Sequence, residues 1–194
     1  MYAYIEGKYV FKSPTTVYID VGGVAYIIHI SLNTYSRIES TESGRLYTHL
    51  HVKEDAHTLY GFADEEEKNL FVLLLSVSGI GPNTARIILS SMVPIEVRTA
   101  ILTDNDLAFK KVKGVGPKTA KRLILDLKDK IKEGGAIKPV TPGQPGVSNN
   151  EEVLAALVAL GFQRAKIVKL LDKISIPPHA STEERIKIAL QHLT

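Results

Sequence analysis

The chain has 194 residues, 44% of them hydrophobic, which is enough for one large domain or two or three small ones and excludes disorder throughout. It has no cysteine, which rules out disulfides and thiolate metal sites, and its six histidines stand mostly singly without metal-ligand spacing, so no metal or other cofactor is expected. The net charge of +3 selects no partner, no apolar run approaches the roughly 20 residues that cross a bilayer, and Met1 to Val10 alternates polar and apolar residues unlike a signal segment; a cytoplasmic protein without membrane contact is expected.

Residues 1–63 carry a net charge of −1 and read as strands, because β-branched and aromatic residues alternate with polar ones between Gly, Pro and Asn. Strands are expected near 2–11, 15–21, 24–30, 45–52 and 57–62, with an irregular or helical piece near Leu32 to Glu39. Gly22-Gly23 reads as a two-residue hairpin turn, and five short strands in so few residues favour a closed barrel, which leaves no exposed edge.

From Asp64 the period becomes helical. Asp64 suits an N-cap, Glu65, Glu66 and Glu67 complement the positive helix end, and Leu70, Phe71, Leu74 and Leu75 supply a buried face. Further helices are expected near 83–91, 94–102 and 104–111, then a longer one from Pro117 whose Ala120, Leu123, Ile124, Leu127 and Ile131 form one stripe. Residues 64–132 carry net +3, and Leu107 to Lys132 alone holds nine cations against Asp126 and Asp129, a local +7 that suits a polyanion. Residues 133–149 are rich in Gly, Pro and Ser and read as a flexible linker; segments near 150–160, 163–173 and 181–193 read as a small three-helix module with a net charge of +1 over 133–194.

The most informative feature is a repeat. Ser78-Gly79-Ile80-Gly81-Pro82-Asn83-Thr84-Ala85 and Lys113-Gly114-Val115-Gly116-Pro117-Lys118-Thr119-Ala120 align 35 residues apart, each between two helical patterns. In such a helix-hairpin-helix the glycines allow a tight turn, and main-chain N–H groups at the next helix N-terminus face outward as a phosphate cradle. Ile80 and Val115 are expected to plug the hairpins from inside, and Pro82 and Pro117 suit a first helical turn. One Gly-x-Gly-Pro joins two helices as readily as it holds phosphate. Two copies, the second followed by Lys118, Lys121 and Arg122, shift the balance to DNA held by its backbone, without base readout and with steep salt dependence.

Together with Val52-Lys53-Glu54-Asp55-Ala56 and Leu59-Tyr60-Gly61-Phe62, this order of segments resembles the RuvA family, the Holliday-junction-binding subunits of the bacterial branch-migration machine, over nearly the whole chain. The resemblance implies a multidomain α+β chain: an OB-fold β-barrel over 1–63, an all-α tandem helix-hairpin-helix domain over 64–132, the linker, and a three-helix ubiquitin-associated-like module over 150–194. It implies a non-catalytic role in homologous recombination, DNA repair and the SOS response to DNA damage. A homotetramer, single or stacked face to face as an octamer, would hold four-way junction DNA open and planar. The third domain would contact the hexameric RuvB ATPase, and RuvC resolvase would join the larger complex. Carried over by position, Ser78, Gly79, Ile80, Gly81, Asn83 and Thr84 form the first DNA-binding turn, and Gly114, Val115, Gly116, Lys118, Thr119, Lys121 and Arg122 the second. Asn83 stands where the family commonly has lysine, so the first turn is expected to grip through backbone and neutral hydrogen bonds. Glu54 and Asp55 would be an acidic pin at the platform centre; read without the resemblance, they are a solvated turn. Leu170 and Leu171 are expected among residues that dock on the motor, and Leu160-Gly161-Phe162 as a loop of core and turn.

An enzyme is the competing class, since some helix-hairpin-helix proteins are glycosylases or nucleases. Asp104 and Asp106 read as helix-capping residues rather than a metal pair, and His49, His51 and His57 as strand positions. No Gly-x-x-x-x-Gly-Lys-Ser/Thr loop is present, so ATP would be hydrolysed by a partner. A generic helix-hairpin-helix DNA-binding adaptor is the alternative within the binding class.

Overall fold

The computed structural model describes residues 2–133, 153–154, 156–158, 160–171, 173–174, 177 and 180–193. The chain divides into two compact units, Met1–Ala136 and Ile137–Thr194. The first opens with β1 (Tyr4–Ser13), β2 (Thr16–Val21), β3 (Val24–Ile30), helix α1 (Leu32–Ile38), β4 (Ser43–Val52) and β5 (His57–Phe62). The strands close a barrel in the order β1-β2-β3-β5-β4, with β3 parallel to β5 and every other pair antiparallel. Alternation puts Ile5, Val17, Ile19, Ile28, Ile30 and Leu46 inside.

β1 runs two residues further than its alternation predicts, to Ser13, because it serves two neighbours. Tyr4 to Lys8 pair with β4, and Lys8 to Ser13 pair with β2 across a register shift between Tyr9 and Phe11. Such a bulge bends and twists a strand, as a small barrel requires. The same pairing pulls β4 back to Ser43, which opposes Lys8. Gly22 and Gly23 both take positive φ, 63° and 97°, in the turn between β2 and β3.

Helices α2 (Glu65–Leu75), α3 (Pro82–Ser91), α4 (Pro94–Leu102), α5 (Asp106–Lys110) and α6 (Pro117–Glu133) follow in the same unit. Asp64 caps α2, its Oδ1 accepting from the Glu67 amide at 2.7 Å. The helical core includes Leu70, Phe71, Leu74, Ile88, Phe109 and Leu123, and Tyr60 and Phe62 of the barrel join it, each ring within 5.2 Å of the Phe71 ring centroid.

Polar ties also cross from barrel to helices, and one corrects the sequence-based expectation. Glu67 does not merely complement the α2 dipole; it is fully buried. Its carboxylate accepts from the Ser31 hydroxyl and, at 2.7 Å, from the Thr34 hydroxyl, both at the start of α1. Thr34 Oγ1 in turn accepts from the Ala63 amide at 3.1 Å, and Ser31 Oγ from the Thr34 amide at 3.0 Å. Arg37 pairs with Asp64 beside this network. Burial pushes the Glu67 carboxyl above its ordinary value, the two hydroxyl donors oppose that rise, and the Asp64 charge adds to it.

In the second unit the described helices are α7 (Arg164–Leu171) and α8 (Thr182–Leu193), with residues 153–154 and 156–158 also helical. Val153, Leu157, Ile167 and Ala189 form its core. The linker expected over 133–149 lies outside the described residues apart from Glu133, which ends α6.

Candidate nucleic-acid interface

Each glycine hairpin is built the same way. Gly79 and Gly114 adopt φ of 92° and 91°, a left-handed conformation that side-chain-bearing residues avoid. The Ile80 amide closes the first turn onto Val77 O at 3.0 Å and the Val115 amide the second onto Val112 O at 3.1 Å. Ile80 and Val115 are buried in the helical core, so their contribution to any ligand is through the main chain. Gly81 is the N-cap of α3, with extended backbone and no side-chain cap, and Pro82 opens the helix. The first in-helix bonds are Ala85 to Gly81 O and Ala120 to Gly116 O, both 2.9 Å. The amides of Asn83 and Thr84, and those of Lys118 and Thr119, have no acceptor among the described residues. A Cβ placed on Gly81 or Gly116 would meet nothing within 4 Å, so each turn presents bare main chain to solvent at a positive helix end.

The cations divide unequally. Ser78, Gly79, Gly81 and Asn83 are exposed and Thr84 half-buried, so the first hairpin surface is neutral. Around the second, Lys113, Lys118, Lys121 and Arg122 are exposed and, among the described residues, engage in no ion pair. The stripe of Ala120, Leu123, Ile124, Leu127 and Ile131 is buried on the other side of α6. The local charge is nonetheless smaller than the nine cations suggest. Lys110 pairs with Asp106 at 2.8 Å, Lys128 with Asp104, and Lys132 with Asp129 at 3.9 Å, while Lys130 donates to Ser76 Oγ at 3.1 Å. Here the expected capping roles are also corrected: Asn105 is the N-cap of α5, accepting from the Ala108 amide at 3.3 Å. Asp104 instead takes positive φ (57°) and reaches Lys128, and Asp106 lies inside the first turn, where its carboxylate meets Lys110 four residues on.

Glu54 and Asp55 are exposed in the turn between β4 and β5, which the Lys53 amide closes onto Ala56 O at 2.8 Å. His49 and His51 lie on β4 and His57 on β5. Burial, then the electrostatic effect of His51 and Lys68, lowers the His49 value below that of an ordinary imidazole. Among the described residues no group of three or more His, Asp or Glu side chains is placed to hold a metal ion, and no helix is long and apolar enough to cross a membrane. In the second unit Leu170 and Leu171 are half-buried against their own core, while Val158, Leu160 and Val168 are exposed. Gly161 turns the chain after Leu160 with φ of 95°.

The sequence composition signalled the hairpins because glycine is fixed there by geometry. Two features were missed, the buried Glu67 and Arg86, whose guanidinium donates to Thr15 O of the barrel at 3.1 Å. Glu67 had a readable signal: with Leu70, Phe71 and Leu74 it falls at i, i+3, i+4 and i+7, on the buried stripe.

Comparison with known proteins matches three family models in chain order: RuvA N terminal domain over residues 1–61, SAM-like Helix-hairpin-helix tandem over 71–129, and RuvA, C-terminal domain over 148–194. Among similar proteins, one from Christiangramia forsetii is 45% identical and one from Bacteroides fragilis 46%, each over the full length of both chains. One from Cytophaga hutchinsonii is 48% identical over 90% of this chain and 89% of its own. All three are named Holliday junction branch migration complex subunit RuvA. A five-stranded barrel, paired glycine hairpins and a small helical unit thus coincide with full-length likeness to these proteins, and the chain belongs to the RuvA family.

Proposed function

We propose that this chain is a non-catalytic subunit that binds four-way junction DNA by its sugar-phosphate backbone, independently of sequence, for branch migration in homologous recombination and DNA repair. The observation that carries this reading is the pair of matched hairpins, whose free amides and bare glycines face solvent, the second beside four cations that make no ion pair among the described residues. Four copies form the platform, alone or stacked as an octamer, and it acts in the cytoplasm. ATP hydrolysis belongs to the RuvB hexamer, because the sequence has no phosphate loop of its own. The second unit, with Leu170 and Leu171 at the edge of its core, docks on that motor, and RuvC acts in the larger complex.

The test is a gel shift of a four-way junction against linear duplex at matched salt, run on the full chain and on a chain lacking residues 151–194, beside an assay of motor stimulation. Both proteins should prefer the junction, and only the full chain should stimulate the motor. Equal affinity for junction and duplex would refute the reading.

Glu54 and Asp55 act as the acidic pin. Eight carboxylates from four copies repel phosphates at the crossover and keep the strands apart. Glu54→Gln with Asp55→Asn should slow or misdirect branch migration while duplex affinity stays within about twofold, since exposed charges remote from a contact alter binding little. Migration at the wild-type rate would remove the pin role.

A further inference from the structure

The two hairpins reach into each other. The position a Cβ would occupy on Gly79 lies 3.8 Å from Oγ1 of Thr119 and 4.0 Å from its methyl. The equivalent position on Gly114 lies 3.7 Å from Oγ1 of Thr84 and 4.0 Å from its methyl. In both cases the threonine belongs to the opposite hairpin, and the hydroxyl is its nearest atom.

Neither hydroxyl makes a hydrogen bond among the described residues, although both side chains are half-buried. Other helical hydroxyls here behave differently: Thr99 donates to Ile95 O at 2.8 Å, Thr103 to Thr99 O at 2.7 Å, and Ser90 to Arg86 O at 2.8 Å. Such back-bonds use a helical carbonyl three or four residues earlier, and those of Thr99, Thr103 and Ser90 all take the one four back. For Thr84 and Thr119 the residue four earlier is Ile80 or Val115, inside the hairpin and before the helix begins. The hydroxyls are left free at the mouth of the site, where each threonine's own amide is also unpaired.

We propose that the hairpins form two composite phosphate sites, each made of the amides of one hairpin and the threonine hydroxyl of the other: Thr119 completes the first site and Thr84 the second. This rests on the junction-binding reading above and adds to it a coupling between the sites. Each threonine donates its N–H to one phosphate and its O–H to the other, so the two sites share a bridge and their spacing is fixed. The neutral first hairpin thereby borrows a donor from the cationic second.

The test is a set of double-mutant cycles read by fluorescence anisotropy on a labelled four-way junction at fixed salt. Thr84→Val and Thr119→Val, which keep shape and branching, should each weaken binding roughly tenfold, the worth of one hydrogen bond to a charged group. Thr84→Ser and Thr119→Ser, which restore the hydroxyl, should recover most of that loss. Combined with Gly116→Val, which blocks the second hairpin, Thr84→Val should add little; combined with Gly81→Val it should multiply the loss. Thr119→Val should show the reverse pattern. Coupling of each threonine to its own hairpin would overturn the crossed arrangement. So would valine variants that bind like wild type while Gly81→Val and Gly116→Val weaken binding, an outcome that leaves the junction reading intact. If the glycine variants also bind like wild type, both fall.

Discussion

A chain carrying Gly81→Val and Gly116→Val should bind a four-way junction about a hundred- to ten-thousandfold more weakly, the loss of a charge-assisted contact of roughly 1.5–3 kcal/mol at each of two sites. Its melting temperature should fall by only a few degrees. The backbone at Gly81 is extended (φ −90°, ψ 174°), which valine adopts, and a Cβ at either position meets nothing within 4 Å; the remaining cost is a poorer helix cap, about 1 kcal/mol or less per site. The neighbouring glycines should behave oppositely in kind. Gly79→Ala and Gly114→Ala force a side chain into φ near +92° and +91°, a strain of about 1–3 kcal/mol each, so these variants should lose stability first. Two glycines two residues apart thus separate binding from folding, and titration beside thermal melting reads both. Wild-type affinity in the Gly81→Val, Gly116→Val chain would show that phosphates do not approach these turns.

Replacing Glu67 by alanine should cost on the order of 3 kcal/mol, because the Ser31 and Thr34 hydroxyls lose their acceptor inside the core and a cavity replaces the side chain. For a unit of this size that lowers the melting temperature by roughly 10 °C. Glu67→Gln should behave differently with pH. The folded chain raises the Glu67 value above that of the unfolded chain, so folding favours the protonated form. The stability this group contributes is therefore fully present below the ordinary carboxylate value and is lost as pH rises through the higher folded value. Glutamine does not titrate, so the melting temperature of Glu67→Gln relative to wild type should increase from acid to neutral pH. An alanine variant that melts like wild type, or a glutamine variant whose difference does not move with pH, would contradict the network's role in joining barrel to helices.

The contrast between these two places shows what a sequence can disclose. At the hairpins, chemistry is written in residue type: a left-handed turn and bare main chain both require glycine, so Gly79, Gly81, Gly114 and Gly116 stand out with no knowledge of neighbours. The barrel was equally legible, since Val17, Ile19, Ile28 and Ile30 alternate with polar residues. Strand ends were not, because Ser43 joins the sheet by opposing Lys8, far back along the chain, and Ser13 by opposing Thr16 across the β1–β2 turn, rather than through any preference of their own. Glu67 was hidden for the same reason. Its acceptor role depends on Ser31 and Thr34, 36 and 33 residues away, and it follows two glutamates that do lie at the helix end. Thr84 and Thr119 were recognised as members of the turns, but their crossed approach to Gly114 and Gly79 exists only once the two hairpins are folded together. Charge was overread in one respect: Asp104 and Asp106, lying just outside the densest run of lysines, neutralise Lys128 and Lys110.

Most direct is a scan in which single phosphates of a four-way junction are replaced by uncharged methylphosphonates and the affinity of the full chain is measured for each. Main-chain amides gripping anionic oxygens should give a small set of sensitive phosphates repeated in every arm, while exchanging base pairs at the same places leaves affinity unchanged. Affinity that ignores the lost charges but follows the base sequence would contradict the account.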